Sequence, residues 1–143
     1  MKINVKKILV LCTGNSCRSQ IAEGYLKHFA SDKAETYSAG IETHGVNPKA
    51  IEIMKKDGID ISGHTSNHIE EYLTIDFDYV LTVCDHAKES CPYFPTRAVK
   101  LHYNFPDPAK ASGTQQEVEE QFREVREQIR KYVQNFVNEN LKR

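Results

Sequence analysis

A short segment near the N-terminus combines residue types that can bind a tetrahedral anion and attack it. Residues 12–19 read Cys-Thr-Gly-Asn-Ser-Cys-Arg-Ser, so Arg18 follows Cys12 with a glycine between them. A loop of this composition can form a cup whose backbone N–H groups point inward, and a guanidinium can grip two anion oxygens. A cysteine beside such positive charge ionises below its ordinary pKa of about 8.5. We therefore predict an oxyanion site with Cys12 as its thiolate nucleophile.

The flanking sequence places this segment at a corner between a strand and a helix. Residues 8–11 form an apolar run typical of a buried strand, and apolar residues from Ile21 onward recur at helical spacing. A helix starting here adds its N-terminal N–H groups and positive dipole end to the site. The alternative, a buried inert Cys12 with an exposed Arg18, fits this corner less well. The predicted binding residues are Thr13, Gly14, Asn15, Ser16, Cys17, Arg18 and Ser19.

Strands and helices alternate along the rest of the chain. The predicted strands are residues 8–11, 35–40, 79–83 and 99–102, with helices after residue 18, from Asn47-Pro48, around Ile69 and through residues 118–136. Such alternation predicts an α/β fold, an open four-stranded parallel sheet flanked by helices on both faces. Ligands bind beyond the carboxyl ends of the strands in these folds.

Two further candidates for chemistry follow the carboxyl ends of strands. Cys84 comes directly after residues 79–83, and Asp107 lies between two prolines in the loop after residues 99–102. Parallel strands end at one edge of the sheet, so we expect both side chains to meet Cys12 there. Asp107 could instead be an ordinary turn residue and Cys84 a small buried one.

Length and composition indicate one globular catalytic domain, residues 1–143. The chain is 39% hydrophobic and 27% charged, as in ordinary globular proteins, and its net charge of −1 argues against a nucleic-acid or membrane-surface binder. No run approaches the roughly 20 apolar residues of a membrane span, and no secretory leader is recognisable. We therefore expect a cytoplasmic protein, and a monomer.

The four cysteines are better explained by reactivity than by disulfides or zinc. Disulfides are rare in the cytoplasm, and the spacings Cys12-x4-Cys17 and Cys84-x6-Cys91 do not match paired zinc motifs. Cys17 is expected to pack rather than react. The histidines are expected to be hydrogen-bonded or exposed rather than metal-bound; those considered are His44, His64 and His68.

These segments together resemble the thioredoxin-coupled arsenate reductases, which share the fold of the low-molecular-weight protein tyrosine phosphatases. The matching motifs are residues 12–19, residues 37–48 (Tyr-Ser-Ala-Gly-Ile-Glu-Thr-His-Gly-Val-Asn-Pro), His-Thr-Ser at 64–66, Cys84, Cys91, and Asp-Pro-Ala at 107–109. The resemblance covers roughly residues 8–132.

The resemblance implies a relay of three cysteines. Cys12 attacks bound arsenate, Ser19 steadies its thiolate, and Asp107 protonates the departing hydroxyl. Cys84 then attacks the Cys12 adduct and releases arsenite, and Cys91 attacks Cys84, so that thioredoxin reduces a disulfide at the surface. The polar segment 85–90 is expected to rearrange in that step. No tightly bound cofactor is implied, and phosphate or sulfate would compete for the cup.

Some members of the family bind potassium, and the chain departs from their pattern. The matching residues here are Asn15, Glu23, Ser38 and, in place of an aspartate, Asn67. Losing a carboxylate weakens a site for a hard cation, since such ions prefer charged oxygen ligands. We therefore predict no confident metal site, with these four residues as the potassium candidates.

Two other functions remain open from the sequence. A low-molecular-weight protein tyrosine phosphatase would use Cys12, Arg18 and Asp107 to hydrolyse a phosphoester through a phosphocysteine. However, Ala109 stands where those phosphatases usually carry an aromatic residue, and phosphatase chemistry gives Cys84 and Cys91 no task. A non-enzymatic oxyanion or thiol-redox sensor is the third reading, and it would not need Asp107.

Overall fold

A parallel sheet of four strands forms the centre of the molecule. The computed structural model describes residues 5–85 and 98–141. The strands are β1 (Lys6–Cys12), β2 (Ala34–Gly40), β3 (Tyr79–Thr82) and β4 (Val99–His102). They are ordered β2-β1-β3-β4, and every neighbouring pair is parallel. The four-stranded parallel sheet predicted from the sequence is confirmed.

Within the described residues, three α-helices and three short 3-10 helices connect and cover the strands. The α-helices are α1 (Arg18–Ala30), α2 (Pro48–Lys55) and α3 (Gln115–Asn140), and the 3-10 helices are Ser31–Lys33, Ile69–Tyr72 and Pro108–Lys110. The helix predicted around Ile69 is thus a single 3-10 turn. Asn47 caps α2 as predicted, its Oδ1 accepting from the Lys49 amide at 2.8 Å. No helix within the described ranges is long and apolar enough to cross a membrane.

Both faces of the sheet are buried at its centre. Residues 8–11 of β1 are each 0% exposed, and because successive strand side chains point to opposite faces, both faces must be covered. Helix α3 packs along α1 and buries one stripe of its side chains, which includes Phe122, Val125, Ile129 and Val133. Arg126 of α3 also donates from Nη1 to the Ile53 carbonyl of α2 at 2.9 Å, and this hydrogen bond joins α3 to α2.

The carboxyl ends of β1, β3 and β4 are tied together beyond the strands themselves. Val83 donates its N–H to the Leu11 carbonyl at 3.0 Å, and Phe105 donates to the Val83 carbonyl at 3.1 Å. Cys12 ends β1, Cys84 follows Val83, and Asp107 follows Phe105. The fold therefore brings the three candidate segments to one edge of the sheet.

Candidate active site

The loop after β1 is held by hydrogen bonds from residues 41–47, which run along its outer side. Four loop carbonyls accept backbone N–H groups: Cys12 from Ile41 (3.3 Å), Thr13 from Glu42 (2.9 Å), Gly14 from His44 (3.0 Å) and Ser16 from Asn47 (3.1 Å). In a trans peptide the next N–H points opposite to the carbonyl. The N–H groups that follow these carbonyls therefore face inward, as an anion cup requires.

Asn15 fixes the sharpest turn of the loop. Its φ of 49° lies in the left-handed region, which is uncommon for residues other than glycine. The side chain is fully buried and donates from Nδ2 to Ser19 Oγ at 2.8 Å and to Ser38 Oγ at 2.9 Å. Its Oδ1 accepts from the Asn67 backbone N–H at 2.7 Å. These three bonds hold a conformation that the backbone alone would not favour.

Gly40, at the end of β2, lets the loop approach the sheet. A Cβ at this position would lie 2.3 Å from the Glu42 carbonyl oxygen, 2.7 Å from that of Thr13 and 2.8 Å from the Asn15 nitrogen. All three atoms belong to the backbone, so none can move aside without shifting the loop. The cup therefore needs a residue without a side chain here.

The loop encloses a cavity of about 270 Å³ that holds the predicted nucleophile, arginine and acid together. Arg18 donates from Nη1 to the Phe105 carbonyl at 3.0 Å, and its Nη2 lies 3.7 Å from Asp107 Oδ2. Among the described residues no side chain caps the start of α1 at Cys17, which leaves its N-terminal N–H groups for a ligand. The arrangement can bind a small tetrahedral oxyanion next to a nucleophile and an acid.

Three contributors to the site were missed from the sequence. His44 and Lys110 line the outer part of the cavity. Gln20 is fully buried and donates from Nε2 to the Asn15 carbonyl at 3.0 Å and the Thr65 carbonyl at 2.9 Å. Gln20 could have been found from the sequence, because it is a polar residue that comes directly after the loop, at the start of the predicted helix. His44 and Lys110 gave none, because only the fold brings their segments to the cavity.

Cys84 lies next to Cys12, and of these two thiols only Cys12 lines the cavity. Both are only 3% exposed, and their thiols are hydrogen-bonded to each other. Thr13 Oγ1 also lies 3.2 Å from Cys84 Sγ. The structure thus places the second predicted thiol in direct contact with the first.

The pKa of Cys12 shifts in the direction opposite to the one that the sequence predicted. The hydrogen bond with Cys84 raises this pKa most, burial raises it further, and Arg18 and the Thr13 N–H lower it by less. The prediction considered only the positive charge of the cup. Burial and the neighbouring Cys84 both disfavour the Cys12 thiolate, and together they outweigh that positive charge. These neighbours therefore hold the pKa of Cys12 above its ordinary value.

Cys17 is a buried thiol next to Arg18 in the loop. Cys17 is 3% exposed, and burial, followed by the Asp107 carboxylate, raises its pKa to about 12. It is therefore a neutral thiol at physiological pH, in keeping with a packing role. Cys91 lies outside the described residues, as does the polar segment after Asp85 that was expected to rearrange.

The potassium candidates lie close together, and their side chains are paired with one another and with neighbouring charged residues. Ser38 Oγ donates to Glu23 Oε1 at 2.5 Å, and the Lys27 ammonium lies 2.7 Å from Glu23 Oε2. The Asn67 side chain instead donates to Glu71 at 3.1 Å. The Glu23 charge is thus already balanced by a cation of the chain, and the described residues hold no cluster of three or more histidine, cysteine or acidic side chains.

The fold and the cup are those of a known enzyme family. The family model for the low molecular weight phosphotyrosine protein phosphatases matches residues 7–143, so the chain belongs to this family.

Within the family, its relatives include arsenate reductases. The arsenate reductase of Halalkalibacterium halodurans is 50% identical over 134 residues, which are 94% of this chain and 96% of the relative. A solved arsenate reductase in the oxidized state has a TM-score of 0.82 and 35% identity, covering 94% of this chain and 98% of that one. Another, in the phosphate binding state, has a TM-score of 0.78 and 34% identity, covering 96% and 99%. The resemblance predicted from the motifs is confirmed.

Proposed function

We propose that this protein is a single-domain arsenate reductase that uses Cys12 as its nucleophile. The observation that carries the proposal is that Cys84 lies next to Cys12, which lines the cavity together with Arg18 and Asp107. Hydrolysis of a phosphoester needs one thiol, whereas reduction of arsenate consumes two. The arsenate reductases at 34–50% identity support the same reading.

The first step joins Cys12 to arsenic. Arg18 and the inward N–H groups of residues 13–18 bind the oxyanion, and the bound anion can accept the Cys12 proton. The Cys12 sulfur then attacks arsenic, and the bond to one hydroxyl breaks. Asp107 protonates that hydroxyl so that it leaves as water; its Oδ1 is fixed by the Ala109 N–H at 3.0 Å, while Oδ2 faces Arg18. Ser19 Oγ accepts from Asn15, and its own proton can steady the thiolate.

The second step transfers two electrons to arsenic. The Cys84 thiolate attacks the Cys12 sulfur, a Cys12–Cys84 disulfide forms, and the sulfur–arsenic bond breaks with its electron pair moving to arsenic. Arsenic passes from the pentavalent to the trivalent state and departs as arsenite. The proximity of the two buried thiols supports this step, because a disulfide can form only between cysteines that lie close together.

The third step restores Cys12. The Cys91 thiolate attacks the Cys84 sulfur, which forms a Cys84–Cys91 disulfide and releases the Cys12 thiolate. Thioredoxin then reduces this disulfide by thiol–disulfide exchange, in a reducing cytoplasm. The burial of Cys12 and Cys84 supports a need for such a carrier, since a partner protein cannot reach either sulfur directly.

A weak phosphatase activity at the same site accompanies this function. The family and the cup with Cys12, Arg18 and Asp107 support hydrolysis of a phosphoester through a phosphocysteine. A sensor without catalysis is less well supported, because it would not need an acid beside the anion cup.

One comparison tests the proposal. Purified protein is supplied with arsenate, thioredoxin, thioredoxin reductase and NADPH, and arsenate-dependent NADPH oxidation is measured beside p-nitrophenyl phosphate hydrolysis. We expect sustained NADPH oxidation and slow hydrolysis. Hydrolysis without NADPH oxidation would assign a phosphatase, and the absence of both would assign a sensor.

A further inference from the structure

A chain of hydrogen bonds links the ends of β3 and β4 beside Cys84. His102, the last residue of β4, lies with Nδ1 2.7 Å from Thr82 Oγ1 and with Nε2 2.7 Å from Asp85 Oδ1. Thr82 is the last residue of β3, and Asp85 directly follows Cys84. None of these side chains lines the cavity described above.

The chemistry of the three side chains gives this chain a direction. A carboxylate only accepts hydrogen bonds, so His102 must carry its proton on Nε2 to donate to Asp85. In a neutral imidazole Nδ1 is then an acceptor, and the Thr82 hydroxyl, which also lies 3.4 Å from the Leu101 carbonyl oxygen, can donate to it. The His102 imidazole thus gives a hydrogen-bond partner to both the buried Thr82 hydroxyl and the Asp85 carboxylate.

Cys84 is held between two fixed neighbours as a result. Val83, before it, donates its N–H to β1 at 3.0 Å. Asp85, after it, is held by His102 through its side chain and by Asn104 Oδ1 through its N–H at 3.1 Å. Without His102, the largely exposed Asp85 carboxylate would turn to solvent, and one of the two restraints after Cys84 would be lost.

We propose that His102, acting through Asp85, is a positioning residue for Cys84 as second nucleophile. The proposal rests on the role of Cys84 in the proposed function. A thiolate must approach a sulfur in line and at short range, and a misplacement near 1 Å costs about 10²-fold in rate. His102 touches neither substrate nor thiol, so its loss is expected to slow the attack of Cys84 and to spare the chemistry of Cys12.

Stopped-flow oxidation with 5,5′-dithiobis(2-nitrobenzoate) separates the two events. Cys12 attacks the reagent and releases one thionitrobenzoate, at a rate proportional to reagent concentration. Cys84 then attacks the Cys12 sulfur of the mixed disulfide and releases a second, at a rate independent of concentration. The parent protein is Cys91→Ser, which stops at Cys12–Cys84. In a Cys91→Ser, Cys84→Ser protein only the first phase is expected.

In the Cys91→Ser parent, we expect His102→Ala and Asp85→Ala each to slow the second phase by about 10-fold or more and to leave the first unchanged. The double variant should be no slower than either alone, because both act through one contact. His102→Gln, which can still donate to Asp85, should recover part of the rate. The exposed His28 on α1 provides the control variant His28→Ala, expected to leave both phases unchanged.

Three outcomes decide the matter. An unchanged second phase in His102→Ala, or equal slowing of both phases, would overturn the positioning role. Additive losses in the double variant would also overturn it, since His102 would then not act through Asp85. Absence of a second phase in the parent would instead remove Cys84 from the relay, which is a failure of the proposed function.

Discussion

Arg18 donates a hydrogen bond to the carbonyl oxygen of Phe105 at 3.0 Å, which joins the anion cup to the loop carrying Asp107. The bond uses Nη1 and leaves other guanidinium N–H groups for an oxyanion. It also fixes the distance between the bound anion and the acid, because Asp107 follows Phe105 closely in a loop stiffened by prolines. One side chain thus joins the predicted anion cup to the predicted acid.

Cys12→Ser is expected to abolish both arsenate reduction and phosphoester hydrolysis, because both begin with the same sulfur. A serine hydroxyl in this cup is a much weaker nucleophile and cannot enter a disulfide. The coupled NADPH assay and p-nitrophenyl phosphate hydrolysis check the two activities. Appreciable arsenate turnover by this variant would remove the assignment of the nucleophile.

Arg18→Lys is expected to lower turnover by about 10² or more, because an ammonium cannot grip two oxygens while also binding the Phe105 carbonyl. The measurement is kcat and KM for arsenate. Arg123, exposed on α3 and paired with Glu120, provides the matched control Arg123→Lys, which should be unaffected. Near-normal kinetics for Arg18→Lys would mean that the cup does not depend on a bidentate contact.

Asp107→Asn is expected to slow the first chemical step by about 10²–10⁴-fold, since an amide cannot protonate the leaving hydroxyl. Asparagine keeps an oxygen that can accept from the Ala109 N–H, so the loop should stay in place. Single-turnover adduct formation reports the step, and inhibition by phosphate reports anion binding, which should change little. Rapid adduct formation in the variant would assign the proton donor elsewhere.

Variants of the second and third thiols should stop the relay at different stages. Cys91→Ser is expected to complete one turnover and stall as Cys12–Cys84, whereas Cys84→Ser should stall before any disulfide forms. Both should keep weak phosphatase activity, because Cys12 is intact. Peptide mapping under non-reducing conditions identifies the stalled species. Sustained thioredoxin-coupled turnover by either variant would contradict the relay.

Removing the Cys84 thiol should lower the pKa of Cys12. The hydrogen bond with Cys84 is the largest cause that raises this pKa, so Cys84→Ala leaves burial opposed by Arg18 and the Thr13 N–H. The pH midpoint for alkylation of Cys12 by iodoacetamide should therefore move to lower pH. Cys84→Ser should lower it as well, because a serine hydroxyl stays neutral and can donate a hydrogen bond to the Cys12 thiolate. An unchanged midpoint in the alanine variant would mean that Cys84 does not control the ionisation of Cys12.

The parts of the site that are contiguous in the chain could be predicted from the sequence. The strand, cup and helix around Cys12 form one such stretch, and the strand ends located Cys84 and Asp107. The Cys12 pKa was predicted with the wrong sign because its main cause is a thiol distant in sequence. The contacts of His102 were missed for the same reason, since they depend on the register of β3 against β4.

Gly40 cannot be replaced by a larger residue without disturbing the loop around Cys12. It carries no functional group, yet a methyl group there would collide with backbone atoms from both the loop and the segment after β2. Any replacement would push the Thr13 carbonyl outward and disturb the inward N–H groups at the same time. The geometry of a neighbouring loop therefore decides which residues this position tolerates. A variant here would lose activity although every predicted catalytic side chain is still present.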